Sequence, residues 1–165
     1  MKQAEQTTML IESKFSADGQ NRYMVKRVWD AKKRQVMVIS NYPTSANGIQ
    51  SDLTMMKITN NLYELGYGGF VLCNVFSSLK GAGGDPKREE TALGVIRLEA
   101  AHLDEVILAT GTFTKKNKRA EKRLQRLLVV LDNKTVKLLV DGHGNLSHPL
   151  KPIMKNKWSL VESEL

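Results

Sequence analysis

The chain has 165 residues, 41 % apolar and 25 % charged, a size and balance that fit one packed domain and exclude global disorder. Its net charge of +8 and pI near 9.6 favour a polyanionic partner. No apolar run reaches the roughly 20 residues of a membrane span, the N-terminal MKQAEQTTMLIESK lacks the apolar core of a secretory signal, and a lone cysteine, Cys73, excludes both an internal disulfide and a cysteine-built zinc site. These features predict a cytoplasmic protein without membrane contact, and no residue pattern calls for a cofactor or a metal.

Residues 1–20 are polar and end in the turn-like Ser16-Ala17-Asp18-Gly19, a variable lead-in to a single domain over 21–165. Arg22 to Trp29 is a strand or an edge segment. Gln35 to Asn41, with Val36-Met37-Val38-Ile39 inside it, predicts a short buried strand broken by Pro43. After a small polar loop, Asp52 caps a helix in which Leu53, Met56, Ile58, Leu62 and Leu65 recur at roughly helical spacing, until Gly66, Gly68 and Gly69 end it. Phe70 to Phe76 predicts a second buried strand. A glycine-rich loop, Gly81 to Pro86, leads into a helix over 87–103 carrying Leu93 and Ile96. Glu105 to Thr110 is a third strand, ending at Gly111.

Between Lys115 and Arg126 the charge is concentrated. Lys115, Lys116, Lys118, Arg119, Lys122, Arg123 and Arg126 stand against Glu121 alone, in a segment that runs into the apolar helix face of Leu124, Leu127, Leu128 and Leu131. Such a helix either lies along a phosphate backbone or presents its cations to water. Thr135 to Val140 is a fourth strand and Asp141 to Leu150 a loop; the tail through Trp158 has no clear pattern.

Short apolar strands alternating with helices predict a three-layer α/β domain with a mostly parallel, four-stranded sheet. In such sheets ligands bind beyond the carboxyl ends of the strands. Polar residues collect at those ends: Asn41, Asn74, Thr110-Gly111, His143 and His148.

Arg22-Tyr23, Arg27-x-Trp29, Asn41-Tyr42-Pro43-Thr44-Ser45-Ala46, Asp52-x-Thr54, Gly66-Tyr67-Gly68-Gly69, Asn74-Val75-Phe76, Asp85-Pro86 and His148-Pro149-Leu150 follow one another over roughly residues 22–152. In these the chain resembles the uncharacterised bacterial and phage family called domain of unknown function 1643, which implies no activity. Two residues depart from the family's pattern: Tyr42 separates Asn41 from Pro43, and Thr110 stands where a tryptophan is usual. In layout the chain also resembles uracil-DNA glycosylase-like proteins, with a proline-containing loop after the first strand, an asparagine ending the second, a third ending in glycine and a His-Pro pair after the last. That resemblance implies the same kind of fold and a base-directed site.

Base excision requires donors that stabilise a departing base anion. His148, as neutral imidazole, is placed to donate, as is backbone of the Gly144–Ser147 loop. Asn74 offers donor and acceptor to a pyrimidine edge. Asp52 or Asn41 holds the attacking water, and Tyr42 or Phe76 wedges the extruded base. Simpler roles compete: Asn41 as a turn residue, Asp52 as a plain cap, His143 as a loop-surface histidine and Cys73 as a buried apolar group. Gly81–Gly84 lacks the Lys-Ser/Thr ending of a phosphate loop. The expected catalytic set is His148, Asp52 and Asn41. Asn74, Tyr42, Phe76 and Ser147 are expected to bind the base, and Lys115, Lys116, Lys118, Arg119, Lys122 and Arg123 the nucleic acid. The expected function is a nucleobase or nucleotide pocket acting on nucleic acid, with DNA N-glycosylase as the candidate reaction. Two alternatives stand beside it: a non-catalytic nucleic-acid-binding accessory protein, and an enzyme on a free nucleotide or other small polar ligand.

Overall fold

A computed structural model describes residues 4, 6–81, 84–151 and 157–163. The elements in chain order are β1 (Leu10–Phe15), β2 (Arg22–Val28), β3 (Gln35–Ser40), α1 (Leu53–Glu64), β4 (Gly69–Asn74), α2 (Pro86–Ala100), β5 (Glu105–Leu108), α3 (Phe113–Lys116), α4 (Lys118–Val130), β6 (Thr135–Val140) and β7 (Ser159–Glu162). The strands form one sheet, ordered β1-β2-β4-β3-β5-β6-β7.

The fold is mixed α/β. The four strands expected from their apolar runs are β3, β4, β5 and β6, and they pair in parallel as β4-β3-β5-β6. The sheet as a whole is nevertheless seven-stranded rather than four-stranded, and it is not mostly parallel. Three of its six pairings, β1 with β2, β2 with β4 and β6 with β7, are antiparallel. The added strands lie at the flanks, where one-sided exposure removes the continuous apolar signal of a buried parallel strand. β1 falls inside the expected lead-in, and its first three residues are exposed. β2 is interior, between β1 and β4, rather than an edge.

Alternation sorts the strand side chains onto two faces. Val36, Val38, Phe70, Leu72 and Ile107 pack with Met55, Ile58 and Leu62 of α1 on one face. Met37, Ile39, Val71, Cys73, Val106 and Leu108 pack with Leu93 and Ile96 of α2 and Ala120 and Leu127 of α4 on the other. Burying each large aliphatic side chain contributes about 2 kcal/mol. In α1 the buried stripe is Met55, Ile58, Asn61 and Leu62, whereas Leu53, Met56 and Leu65, expected on the inner face, stay partly in solvent. Asp52 caps the helix through a 2.7 Å bond from the Met55 N–H. No helix among the described residues is long and apolar enough to cross a membrane.

The amino ends of the parallel strands are bridged by charge pairing. Glu105 accepts from the Tyr67 hydroxyl at 2.6 Å and pairs with Arg34 at 3.0 Å and Lys137 at 3.1 Å. A hollow opens at each end of these strands, about 340 Å³ beside Arg34, Glu99 and Glu105 and about 260 Å³ at the carboxyl ends.

Close approach of β2 to β4 depends on Gly69, paired with Val28. A Cβ there would stand 2.6 Å from the Arg27 carbonyl oxygen and 2.9 Å from Val28 Cα. Gly69→Ala is expected to cost about 2–3 kcal/mol by forcing the strands apart. Gly94→Ala, on the exposed side of α2 with open space around it, is expected to add about 1 kcal/mol. Urea unfolding of the two variants checks both signs.

Candidate functional site

Ser40 ends β3 and Asn74 ends β4, in register with each other. Both share parity with Val38 and Leu72, so they point to the α1 face of the sheet. There a hollow of about 260 Å³ opens, lined by Arg22, Ser40, Asn41, Tyr42, Asp52, Asn74 and His148 among others. Asn41, Asn74 and His148, expected to converge from distant parts of the chain, do line one cavity.

Arg22 reaches this face through a break in the β1–β2 ladder. Lys14 pairs with Met24 but Phe15 pairs with Arg22, so Tyr23 is bulged out. Without the bulge Arg22 would share the face of Met24, on the opposite side; the extra residue re-aims it. Its guanidinium, 3 % exposed, donates to the Ala46 carbonyl at 3.1 Å, to Thr44 Oγ1 at 3.4 Å and to Asn74 Oδ1 at 3.2 Å. Arg27, two residues beyond Val25 on the α1 face, donates to the Gly48 carbonyl, to Ser51 Oγ at 2.7 Å and to Thr59 Oγ1 at 3.3 Å. Two buried arginines of β2 therefore clamp the β3–α1 loop. Burial depresses the proton affinity of both, and Asp52 opposes that through its charge.

The bonds behind each polar group decide what it presents. An arginine only donates, so Asn74 must turn its oxygen to Arg22. Its amide nitrogen has no partner among the described residues; Asn74 thus offers a donor, not the donor–acceptor pair expected of it. The Leu150 N–H donates to His148 Nδ1 at 3.2 Å, which fixes the neutral tautomer with its proton on Nε2. That nitrogen is 3.1 Å from Ser40 Oγ, so Ser40 accepts from His148 and keeps its own proton to donate. This tautomer cannot also act as a base toward Ser40. Asn41 Oδ1 is buried without a partner, a free acceptor. Asp52 is already engaged, by Met55 N–H at 2.7 Å and by Thr44 Oγ1 at 2.5 Å.

His148 is carried on the loop after β6, and Asp141 holds that loop folded. The Asp141 carboxylate accepts from the N–H groups of His143 and Asn145 and from Lys151 Nζ at 2.9 Å, bonds that hold its pKa well below the usual carboxylate range. Gly111, at φ +58°, donates to the Ser147 carbonyl, and a Cβ there would meet His148.

Two expected ligand contacts stay out of the hollow. Ser147 is pinned by its backbone to Leu139 and Gly111 and buries its hydroxyl without a partner. Phe76 lies behind Tyr42, stacked at 5.7 Å and 16°. The basic set also changes. Arg123 sits on the inner face of α4, between Ala120 and Leu127 at helical spacing, a signal readable in the sequence. It pairs with Glu89 at 3.3 Å and donates to the carbonyls of Val75 and Glu89, so it is not a surface cation. Lys115, Lys116, Lys118, Arg119 and Lys122 are exposed.

Elsewhere, burial, aided by the charge of Glu99, pushes the Cys73 thiol up to about 12, outside nucleophile range. His143 is exposed on its loop. Among the described residues no group of three His, Cys, Asp or Glu is placed to hold a metal. Part of the glycine-rich loop, Ala82 and Gly83, lies outside the described residues, as does 152–156 of the tail. Arg22 and Ser40 were missed as site residues. The order Arg22-Tyr23 carries no sign of the bulge, and a serine closing an apolar strand reads only as its boundary.

One family model, described as a protein of unknown function (DUF1643), matches residues 22–150. No curated protein and no solved structure matches the chain.

Burial lowers the His148 pKa below the ordinary imidazole value. The unfolded chain then binds the proton more readily, so the contribution to stability is full above about pH 6.5 and is lost as pH falls toward the folded value. Protonation would also set an N–H at Nδ1 against that of Leu150. Denaturation midpoints from about pH 7 down to 5 should fall more steeply for the native chain than for His148→Gln.

Proposed function

Since the chain belongs to the DUF1643 family and takes no activity from it, we propose from the site itself that it binds a single nucleobase, acting on nucleic acid or nucleotide. The supporting observation is the set of polar groups on a hollow of about 260 Å³, below the usual range for drug-sized ligands and suited to one planar ring. Asn74 nitrogen and the Ser40 hydroxyl donate, Asn41 Oδ1 accepts, and the Tyr42 ring supplies an apolar wall. The stations Asn41-Tyr42-Pro43, Asn74 and His148-Pro149 also follow the uracil-DNA glycosylase-like layout, which supports the same reading.

The donors make the pocket selective for oxo over amino groups. A carbonyl of uracil, thymine or hypoxanthine accepts from Asn74, whereas an amino group of cytosine or adenine brings a second donor and leaves both unpaired. The candidate reaction is base excision. Breaking the bond to the sugar leaves negative charge on the base oxygens, which Asn74 and Ser40 face, with His148 polarising Ser40 from behind. Asn41 Oδ1, not the engaged Asp52, is the acceptor without a partner beside the hollow, and a small shift of its side chain would bring it to a water there. Asp52 positions α1 and offsets Arg22.

Thermal shift with free bases tests the reading. At about 100 times its Kd an oxo base should stabilise by about 2.7 kcal/mol, roughly 5 °C or more for a chain of this length. Amino bases should bind about tenfold to a hundredfold more weakly, and Asn74→Ala should abolish the preference. No shift with any base would overturn the proposal. Release of abasic sites from uracil- or hypoxanthine-containing DNA separates excision from binding without chemistry.

A further inference from the structure

Five cations of α3 and α4 have no acid to answer them. Arg123 is spent on Glu89 and Arg126 pairs with Glu90 at 2.6 Å. Lys115, Lys116, Lys118, Arg119 and Lys122 are exposed and form no ion pair among the described residues, and Glu121 is the single acid between them. Like charges crowded in this way repel one another unless an anion lies across them.

The cluster is continuous with the hollow. Phe113, which opens α3, meets the Tyr42 ring edge-on at 5.1 Å, two residues before Lys115. The Arg119 guanidinium stands 5.9 Å over the Phe76 ring, and Phe76 stacks on Tyr42, whose ring lines the hollow. Moving outward from the cavity, the order is Tyr42, Phe76, then Arg119. Phe76 is only 4 % exposed and backs the stack, while Tyr42 is 36 % exposed.

We propose that this surface binds a single-stranded nucleic acid, its phosphates on Lys115, Lys116, Lys118, Arg119 and Lys122 and one of its bases stacked on Tyr42 in the hollow. The inference rests on reading the hollow as a base site and adds the polymer that delivers the base. A strand of cations beside an aromatic platform is the pairing that single-strand binders use, because every base has a ring face to stack and every nucleotide a phosphate. A duplex keeps its bases stacked and paired, and extruding one costs a few kcal/mol. The single strand is therefore the favoured form.

The test is a fluorescence-anisotropy titration of the full chain with three probes: a single-stranded thymidine oligonucleotide, the same strand in a duplex, and a matched strand of base-free sugar phosphates. The single strand should bind with a log–log salt slope approaching about −3.5, from roughly 0.7 per phosphate at five cations. The combined Lys115→Gln, Lys116→Gln, Lys118→Gln and Lys122→Gln variant should flatten that slope to about −0.7. Tyr42→Ala should weaken binding about tenfold, and the duplex should bind at least about tenfold more weakly than the single strand. Absence of binding, a slope unchanged in the charge variant, or a duplex bound as tightly as the single strand overturns the proposal. If a free base stabilises the chain while no strand binds, the surface fails and the base pocket stands. If base-free and base-bearing strands bind alike with the slope intact, the base pocket fails, and with it the route into the hollow.

Discussion

Two almost wholly buried arginines hold the carboxyl end of the sheet together. Arg22 and Arg27 project from β2 beneath the β3–α1 loop and donate to its carbonyls and hydroxyls at Thr44, Ala46, Gly48 and Ser51. Taking a guanidinium out of water costs several kcal/mol unless its donors are met. The loop accepts four of their bonds, Asn74 and Thr59 accept one each, and the charge of Asp52 offsets both. Because a planar fork of donors accepts partners only in fixed directions, the loop has little freedom in how it crosses them. The positions of Asn41, Tyr42 and Asp52 follow from that constraint.

The same logic sets the chemistry of the hollow. Each group facing the cavity is oriented by one behind it: Arg22 takes the Asn74 oxygen, and the Leu150 N–H selects the His148 tautomer, which in turn claims a lone pair of Ser40. The donors on this face are therefore held in fixed directions by the groups behind them. His148 reaches Ser40 Oγ at 3.1 Å and so sets which way that hydroxyl can donate.

The two ends of the parallel strands differ in how fully their polar groups are paired. At the amino ends Glu105 gathers Tyr67, Arg34 and Lys137 into a mutually paired polar cluster, with Arg34 also lying 4.3 Å over the Tyr67 ring. At the carboxyl ends side chains are left with unmet capacity: the Asn74 nitrogen, Asn41 Oδ1 and the exposed cations beside Phe113. Unmet polar groups inside a protein are costly.

Much of this could be read from residue order alone. Unbroken apolar runs announced β3 to β6, since a strand buried on both faces needs no alternation. Parallel pairing then brought Asn41, Asn74 and His148 to one edge, because like ends of parallel strands meet. The half-exposed β1 and β7 carried no comparable signal, and the stripe of α1 was misplaced by a residue because several apolar residues competed for it. What residue order settled is local: which segments are strands or helices, and which polar residues close them. Only the assembled sheet decided which partner each polar group found. A one-residue bulge at Tyr23 turned Arg22 to the other face, and the packing of α4 against α2 buried Arg123. Helical spacing put Arg123 on the inner face of its helix, but which carboxylate it pairs with, and the bulge that turns Arg22, depend on contacts with other elements.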